Sequence, residues 1–386
     1  MTSSAELRRP PPPFDLVVLT GFLGSGKTTL LNRLLRDPAL SDSLVIINEF
    51  GSVGLDHLLV ERVDGDMLVM TSGCLCCSIR GDLVATLEDV LRRRDNGRIA
   101  PFERVVVETT GLADPAPVLH TIMAHPYLRL RFRLRAVVTL VDAVVGMETL
   151  DRHIEARKQA AMADRLVVTK SDLATETARL DLIARLGALN PGARLFDAAR
   201  GEATAAALLD GIAYDPASRG AEAADWLRFE AHASEHREDH AAESRHAHDH
   251  HHINDVNRHN ASIRAFCLRY PRPVPPAAVM LFLELLRSAH GAQMLRLKGL
   301  VALSDDPARP VVIHGVQHVM HPPQRLEAWP DTDRETRLVF ILQDLEPAFV
   351  EGLWRAAAGE PRLDEADLAT RAANPLAPAP RGLLAD

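Results

Sequence analysis

The sequence predicts an α/β protein: a doubly wound, mostly parallel sheet followed by a His-rich linker and a smaller α+β C-terminal domain. Three observations carry this reading. Short β-branched apolar runs alternate with helix-period segments through the first half of the chain, the pattern of a sheet buried on both faces. From about 232 to 259 almost no large apolar residue occurs, so that stretch cannot build a core. Beyond it, strand-like runs resume around one amphipathic helix.

Residues 1–13, Pro-rich at 10 to 13, read as a disordered tail. "FDLVVLT" is a buried strand ending at a glycine, and "TTLLNRLLRD" spaces Leu30, Leu31, Leu34 and Leu35 as one helical face. "SLVIIN", "DMLVMTSG", "RVVVETT", "RAVVTLVDA" and "DRLVVTKSD" are further strands, and "DLVATLEDVLRRR" is a helix between two of them. Ligands bind at the ends of such strands, where loops gather. The first domain is set at 14–225, the linker at 226–260, the second domain at 261–350 and a tail rich in Ala and Pro at 351–386. The second domain holds "ASIRAFCLRY", the amphipathic "AAVMLFLELLRSA", "MLRLKGLVAL", "PVVIHGVQHVM" and "TRLVFILQDL".

A chain of 386 residues is long enough for two domains. It lacks an apolar stretch of about 18 residues and the apolar core of a secretory signal, so a cytoplasmic protein without a membrane partner is expected. A net charge of −8 supplies no basic stripe, which argues against nucleic acid. Three of the four cysteines crowd into "TSGCLCCSIR", too close for a secreted disulfide framework; metal or redox chemistry is the better expectation.

"GFLGSGKTT" satisfies G-x-x-x-x-G-K-[ST] between a strand and a helix, which makes the first domain a P-loop NTPase. Its backbone N–H groups converge on phosphates, Lys27 reaches the β and γ phosphates, and Thr28 places a hydroxyl on Mg²⁺. The candidate nucleotide residues are Gly21, Gly24, Ser25, Gly26, Lys27, Thr28 and Thr29. In "TKSD", Thr169, Lys170 and Asp172 match [NT]-K-x-D, where a carboxylate accepts from the N1–H and N2 amino groups of guanine; adenine has no such donor pair, so GTP is expected. In "RVVVETTGLADP", Glu108 ends a strand and is placed to hold the Mg²⁺ shell, and Gly111 to sense the γ-phosphate; the alternative is that Glu108 merely caps a turn. Lys27, Thr28, Glu108 and Gly111 are the catalytic candidates, working by electrostatic positioning. "NEFG" is a second mobile loop.

Taken together and in order, "GFLGSGKTT", "NEFG", "GCLCC", "ETTGLADP", "TLVDA" and "TKSD" resemble the CobW-like metallochaperone GTPases of the SIMIBI class, relatives of the hydrogenase and urease nickel-insertion GTPases. "LRLKGLVAL", "GVQHVMHP" and "TRLVFI" resemble that family's C-terminal domain, so the likeness runs over about 14 to 345. It implies a GTPase that delivers a transition metal to client proteins, most often Zn²⁺ and in some branches Co²⁺ or iron, including delivery for cobalamin synthesis. The resemblance further implies that the metal is held near the Cys-x-Cys-Cys segment and that its release follows the nucleotide. Ser52 stands where many members carry an acidic residue, so no ligand is carried over there.

Thiolates are soft donors that favour zinc, cobalt or Cu⁺ over Mg²⁺. Cys74, Cys76 and Cys77 are therefore the metal candidates, two of them with Glu49 or a client ligand being easier than all three on one ion. Inert burial and a strained Cys76–Cys77 redox pair are the alternatives. In the linker, His232, His236, His240, His246, His248, His250, His251 and His252 lie among acidic residues, a composition suited to buffering or relaying metal; His246 to His252 supply the densest ligands. Cys267 reads as core, and His314, His318 and His321 as structural. A regulatory GTPase switch and a passive metal store compete with the chaperone reading, and a homo-oligomer is left open.

Overall fold

The computed structural model describes residues 12–40, 42–48, 68–70, 79–209 and 263–360. The first domain contains strands β1 (Phe14–Gly21), β2 (Ser43–Asn48), β3 (Leu68–Met70), β4 (Arg104–Glu108), β5 (Phe132–Asp142), β6 (Arg165–Thr169) and β7 (Arg194–Asp197). Its helices are α1 (Lys27–Leu34), α2 (Ile79–Asp95), α3 (Pro115–Ala124), α4 (Leu128–Arg131), α5 (Gly146–Arg152), α6 (Ile154–Met162), α7 (Glu176–Leu189) and α8 (Ala205–Leu209). The strands lie in the order β3-β2-β4-β1-β5-β6-β7, and every described neighbour pair is parallel.

Alternation along β1 explains the two layers of helices. Leu16 and Val18 pack with Leu87 and Leu91 of α2 and Leu119 and Ile122 of α3, whereas Val17 and Leu19 pack on the other face with Leu30, Leu31 and Leu34 of α1. Each such side chain, fully buried, contributes about 1.5–3 kcal/mol. The chain leaves β1 toward β2 and β4 on one side and reaches β5 on the other, so the loop after β1 opens at the switch point of the sheet.

The second domain is an antiparallel sheet of β8 (Ile263–Tyr270), β9 (Met294–Val301), β10 (Val311–Val316), β11 (Val319–Met320), β12 (Gln324–Arg325) and β13 (Thr336–Gln343). Helices α9 (Pro276–His290) and α10 (Pro347–Ala357) cover one face. The sequence expectation ends this domain at 350, but α10 continues to Ala357 and places Val350 and Trp354 in the same core as Phe282 and Phe340. Its apolar residues recur at helical spacing among alanines, which composition alone does not separate from a tail. Cys267 is half-buried on β8.

The other face of this sheet docks on the first domain. Leu295, Val316 and Ile341 join the core that holds Ile122, Ala161 and Met162. Beside them sits a buried polar cluster. Asp164, just before β6, accepts from Val137 N–H at 2.9 Å and pairs with the Arg296 guanidinium and with Lys298 Nζ, the latter at 3.2 Å. Arg296 also donates to Met162 O at 2.5 Å and lies 3.1 Å from His314 Nε2. The rings of His314 and His321 stack at 4.4 Å. The expectation that these histidines are structural describes this role. Removing one member strands its partners in low dielectric, at a cost of about 3–5 kcal/mol.

Burial works against the Asp164 carboxylate, but Arg296, Lys298 and the Val137 N–H outweigh it and hold it ionised, well below the usual carboxylate range. Burial lowers Lys298 to about 8, aided by the charge of Arg296. Burial likewise keeps His314 well below its ordinary value and lowers His321 to about 4. A histidine depressed on folding binds its proton more readily in the unfolded chain, so stability falls as pH drops from about 6.5 through 4. For His321 the loss is on the order of 3 kcal/mol. Urea unfolding of His321→Gln across that range is expected to show a flatter decline than the unsubstituted protein; equal slopes would show that the ring titrates freely.

Candidate nucleotide-binding site

The chain leaves β1 at Gly21 and curls into α1 at Lys27. Gly24 and Gly26 hold left-handed φ of 72° and 88°. Gly21 is required sterically as well, because a Cβ there would lie 2.5 Å from Leu140 O and 2.7 Å from Ser25 Oγ. Gly26 is the N-cap of α1 and brings no side-chain acceptor to the first turn, the end of a helix that favours an anion. Lys27 Nζ donates to Gly21 O at 2.8 Å and Phe22 O at 3.1 Å, folded over the loop it would share with phosphates. Thr29 is exposed in the same first turn.

Thr28 Oγ1 donates to Glu108 Oε1 at 3.1 Å, across 80 residues of sequence. The alternative of a mere turn cap does not describe Glu108, which is 5% exposed at the end of β4 and faces the P-loop threonine. A hydroxyl and a carboxylate, both hard oxygen donors at this separation, fit Mg²⁺. Next to them Thr109 Oγ1 donates to Thr20 Oγ1 at 2.8 Å. Gly111 touches the P-loop so closely that a Cβ would meet Leu23 N at 2.6 Å and Leu23 Cα at 2.7 Å. On its other side, Gln159 of α6 donates Nε2 to Gly111 O at 3.1 Å and to Ala113 O at 2.9 Å. Asp114 then caps α3 by accepting from Ala116 N–H and pairs with Lys158 at 3.4 Å.

The third loop follows β6. Thr169 Oγ1 donates to Ser25 O at 2.8 Å, tying it to the P-loop. Lys170, at a φ of 55°, donates to Gly24 O at 2.9 Å and Asp142 Oδ2 at 2.6 Å. Its stem therefore lies along the groove, and Asp172 is exposed beyond it. Ser171 Oγ donates to Asp197 Oδ1 at 2.5 Å, anchoring the loop to the end of β7.

All the described nucleotide residues expected from sequence thus gather at the C-terminal edge of one sheet. Sequence reasoning missed three supports: Asp142, Asp197 and Gln159. "TLVDA" contained the first, whose place at a strand end was its signal; the other two carry none, since their partners are remote in sequence. Glu49, Cys74, Cys76, Cys77 and the linker histidines lie outside the described residues. Among the described residues no group of three His, Cys, Asp or Glu side chains is placed to hold a metal. Likewise, none of the described helices is long and apolar enough to cross a membrane.

The model of the CobW/HypB/UreG nucleotide-binding domain matches residues 15–197, and that of the cobalamin synthesis protein CobW C-terminal domain matches 263–358. The zinc chaperone YjiA of Escherichia coli is 41% identical over 180 residues, 46% of this chain and 56% of that one, so the match spans little more than half of that relative. The zinc chaperone CobW of Pseudomonas aeruginosa is 27% identical over 374 residues, 89% of this chain and 91% of that one. The crystal structure of Zn(II)-bound YjiA GTPase from E. coli superposes with a TM-score of 0.63 at 25% identity, covering 90% of this chain and 99% of that one. Both halves of the described structure are thereby accounted for, and the chain belongs to the CobW/HypB/UreG family, in the form that carries the CobW C-terminal domain.

Proposed function

We propose that the protein is a GTP-hydrolysing metallochaperone that carries zinc and hands it to a client protein in step with its nucleotide state. The observation that carries the reading is the Thr28–Glu108 pair, which joins the P-loop to the strand end whose next loop lies on the P-loop backbone. The described residues serve hydrolysis by positioning. P-loop N–H groups and Lys27 neutralise the phosphates, Thr28 and Glu108 would hold Mg²⁺, and Gly111 stands where a γ-phosphate would be felt. Mg²⁺, when bound, offsets the charge that develops on the β and γ oxygens.

Asp172 supports GTP over ATP. Its carboxylate is acceptor-only, and Lys170 clamps the loop that presents it to both the P-loop and Asp142. The substitution Asp172→Asn is expected to move preference from GTP toward XTP by on the order of a hundredfold, because an amide donates to the xanthine O2 and no longer accepts from both guanine donors. Competition between the two nucleotides measures this, and an unchanged preference would remove the base-reading role.

For the metal, support comes from donor chemistry and from the zinc named in the relatives. Cys74, Cys76 and Cys77 are soft ligands in the segment between β3 and α2, with Glu49 after β2 as an oxygen ligand. β3 lies two strands from β4, so the chain leaves Met70 roughly 10 Å from the strand end that carries Glu108, on the same edge. The histidines of the linker serve as a reservoir for the same ion. Zinc and cobalt titrations with GDP, with a GTP analogue and without nucleotide test the reading. Different zinc affinities in the three states are expected, together with loss of one tight equivalent in Cys76→Ala. Equal affinities favour a passive store, and GTP turnover indifferent to metal favours a regulatory switch.

A further inference from the structure

Gln159 is almost fully buried, at 1% exposure, on a helix that belongs neither to the P-loop nor to the base-reading loop. Its amide orientation is unambiguous because both neighbours are carbonyls, Gly111 O and Ala113 O, and only an NH₂ group satisfies both. Gly111 is therefore held between two surfaces: the Leu23 backbone in front and the Gln159 amide behind. The other half of that amide, Oε1, is buried and has no hydrogen-bond donor among the described residues. A side chain with its donors engaged and its acceptor unspent suits a loop with two arrangements: one offers carbonyls to Nε2, and the other turns an N–H toward Oε1.

The helix bearing Gln159 is fixed at its C-terminal end by the second domain. Gln159 O accepts from Thr139 Oγ1 at 2.8 Å. Three residues later, about 4.5 Å along the axis, Met162 O accepts from Arg296 of β9 at 2.5 Å. Asp164 follows, paired with the same guanidinium. Around that end, Asn190 Nδ2 donates to Ala160 O, Ala161 O and Ala163 O. With its carbonyls held this way, α6 joins the 109–113 loop to the Met162–Arg296 contact.

We propose that Gln159 is a positioning residue that clamps the 109–113 loop, and that α6 carries the state of this loop to the C-terminal sheet through Arg296. The inference rests on the nucleotide reading above and deepens it, by naming the element through which the γ-phosphate reaches the second domain.

The test uses the full chain and compares affinities for GDP and for a non-hydrolysable GTP analogue, both with Mg²⁺. Gln159→Leu removes both hydrogen bonds and is expected to change the analogue-to-GDP affinity ratio by about fivefold or more. Gln159→Glu, protonated in this buried place, keeps one donor and is expected to change the ratio less. A packing role alone predicts the reverse order, since Leu suits a buried site better than a carboxyl group. Hydrogen exchange of the unsubstituted protein needs no variant to fold: replacing GDP by the analogue is expected to change deuterium uptake in 109–113, 154–164 and 294–298 together. Changes confined to 109–113, or a ratio within about twofold of the unsubstituted value in Gln159→Leu, overturn the proposal. Failure of the unsubstituted chain to bind either nucleotide overturns the underlying reading instead, and this inference with it.

Discussion

Buried threonine hydroxyls hold the nucleotide edge of this molecule together. A parallel sheet delivers its loops to one edge, but neighbouring strand ends do not by themselves fix how loops of remote sequence meet. Here Thr20 and Thr109 join β1 to β4, Thr169 joins β6 to the P-loop at Ser25 O, and Thr139 joins β5 to α6 at Gln159 O. Each bond is worth only about 1 kcal/mol net. Leaving one partner unsatisfied in so dry a place costs more, about 1–3 kcal/mol, which favours keeping the set complete. The Thr28–Glu108 pair and the Lys170–Asp142 pair are held in register by these bonds.

The second domain grips the opposite end of the same strands. Asp164 precedes β6 and Thr169 ends it, so the polar cluster and the loop after β6 lie about 17 Å apart along one strand. Five buried residues connect them, with α6 packed alongside. The cluster holds two cations, one carboxylate and two histidines kept neutral by burial. Such an arrangement specifies how the sheets dock, because any slip would leave a charge without its partner. Apolar packing through Leu295, Val316 and Ile341 supplies area without that direction.

Much of this was legible beforehand, and the reason differs from element to element. The P-loop, "ETTGLADP" and "TKSD" each place their chemistry within a few residues, so glycine conformation, strand ends and acceptor geometry suffice to read them. The order of the apolar runs also announced both sheets. The short β7 and the continuation of α10 past residue 350 escaped, the first for want of length and the second because its Ala-rich sequence resembles a tail.

Sequence alone set which chemistries are expected of the chain, phosphate cradling, guanine reading and soft-metal ligation by thiols, because each depends on residue types at short spacing. Only the folded chain decided what supports them. Gln159 behind Gly111, Asp142 and Asp197 under the loop after β6, and Arg296 against Asp164 are contacts spanning 26 to 132 residues. No local pattern encodes such pairs, since they arise from how the strands are ordered and how the two sheets are docked, and that ordering is set by the burial of whole faces.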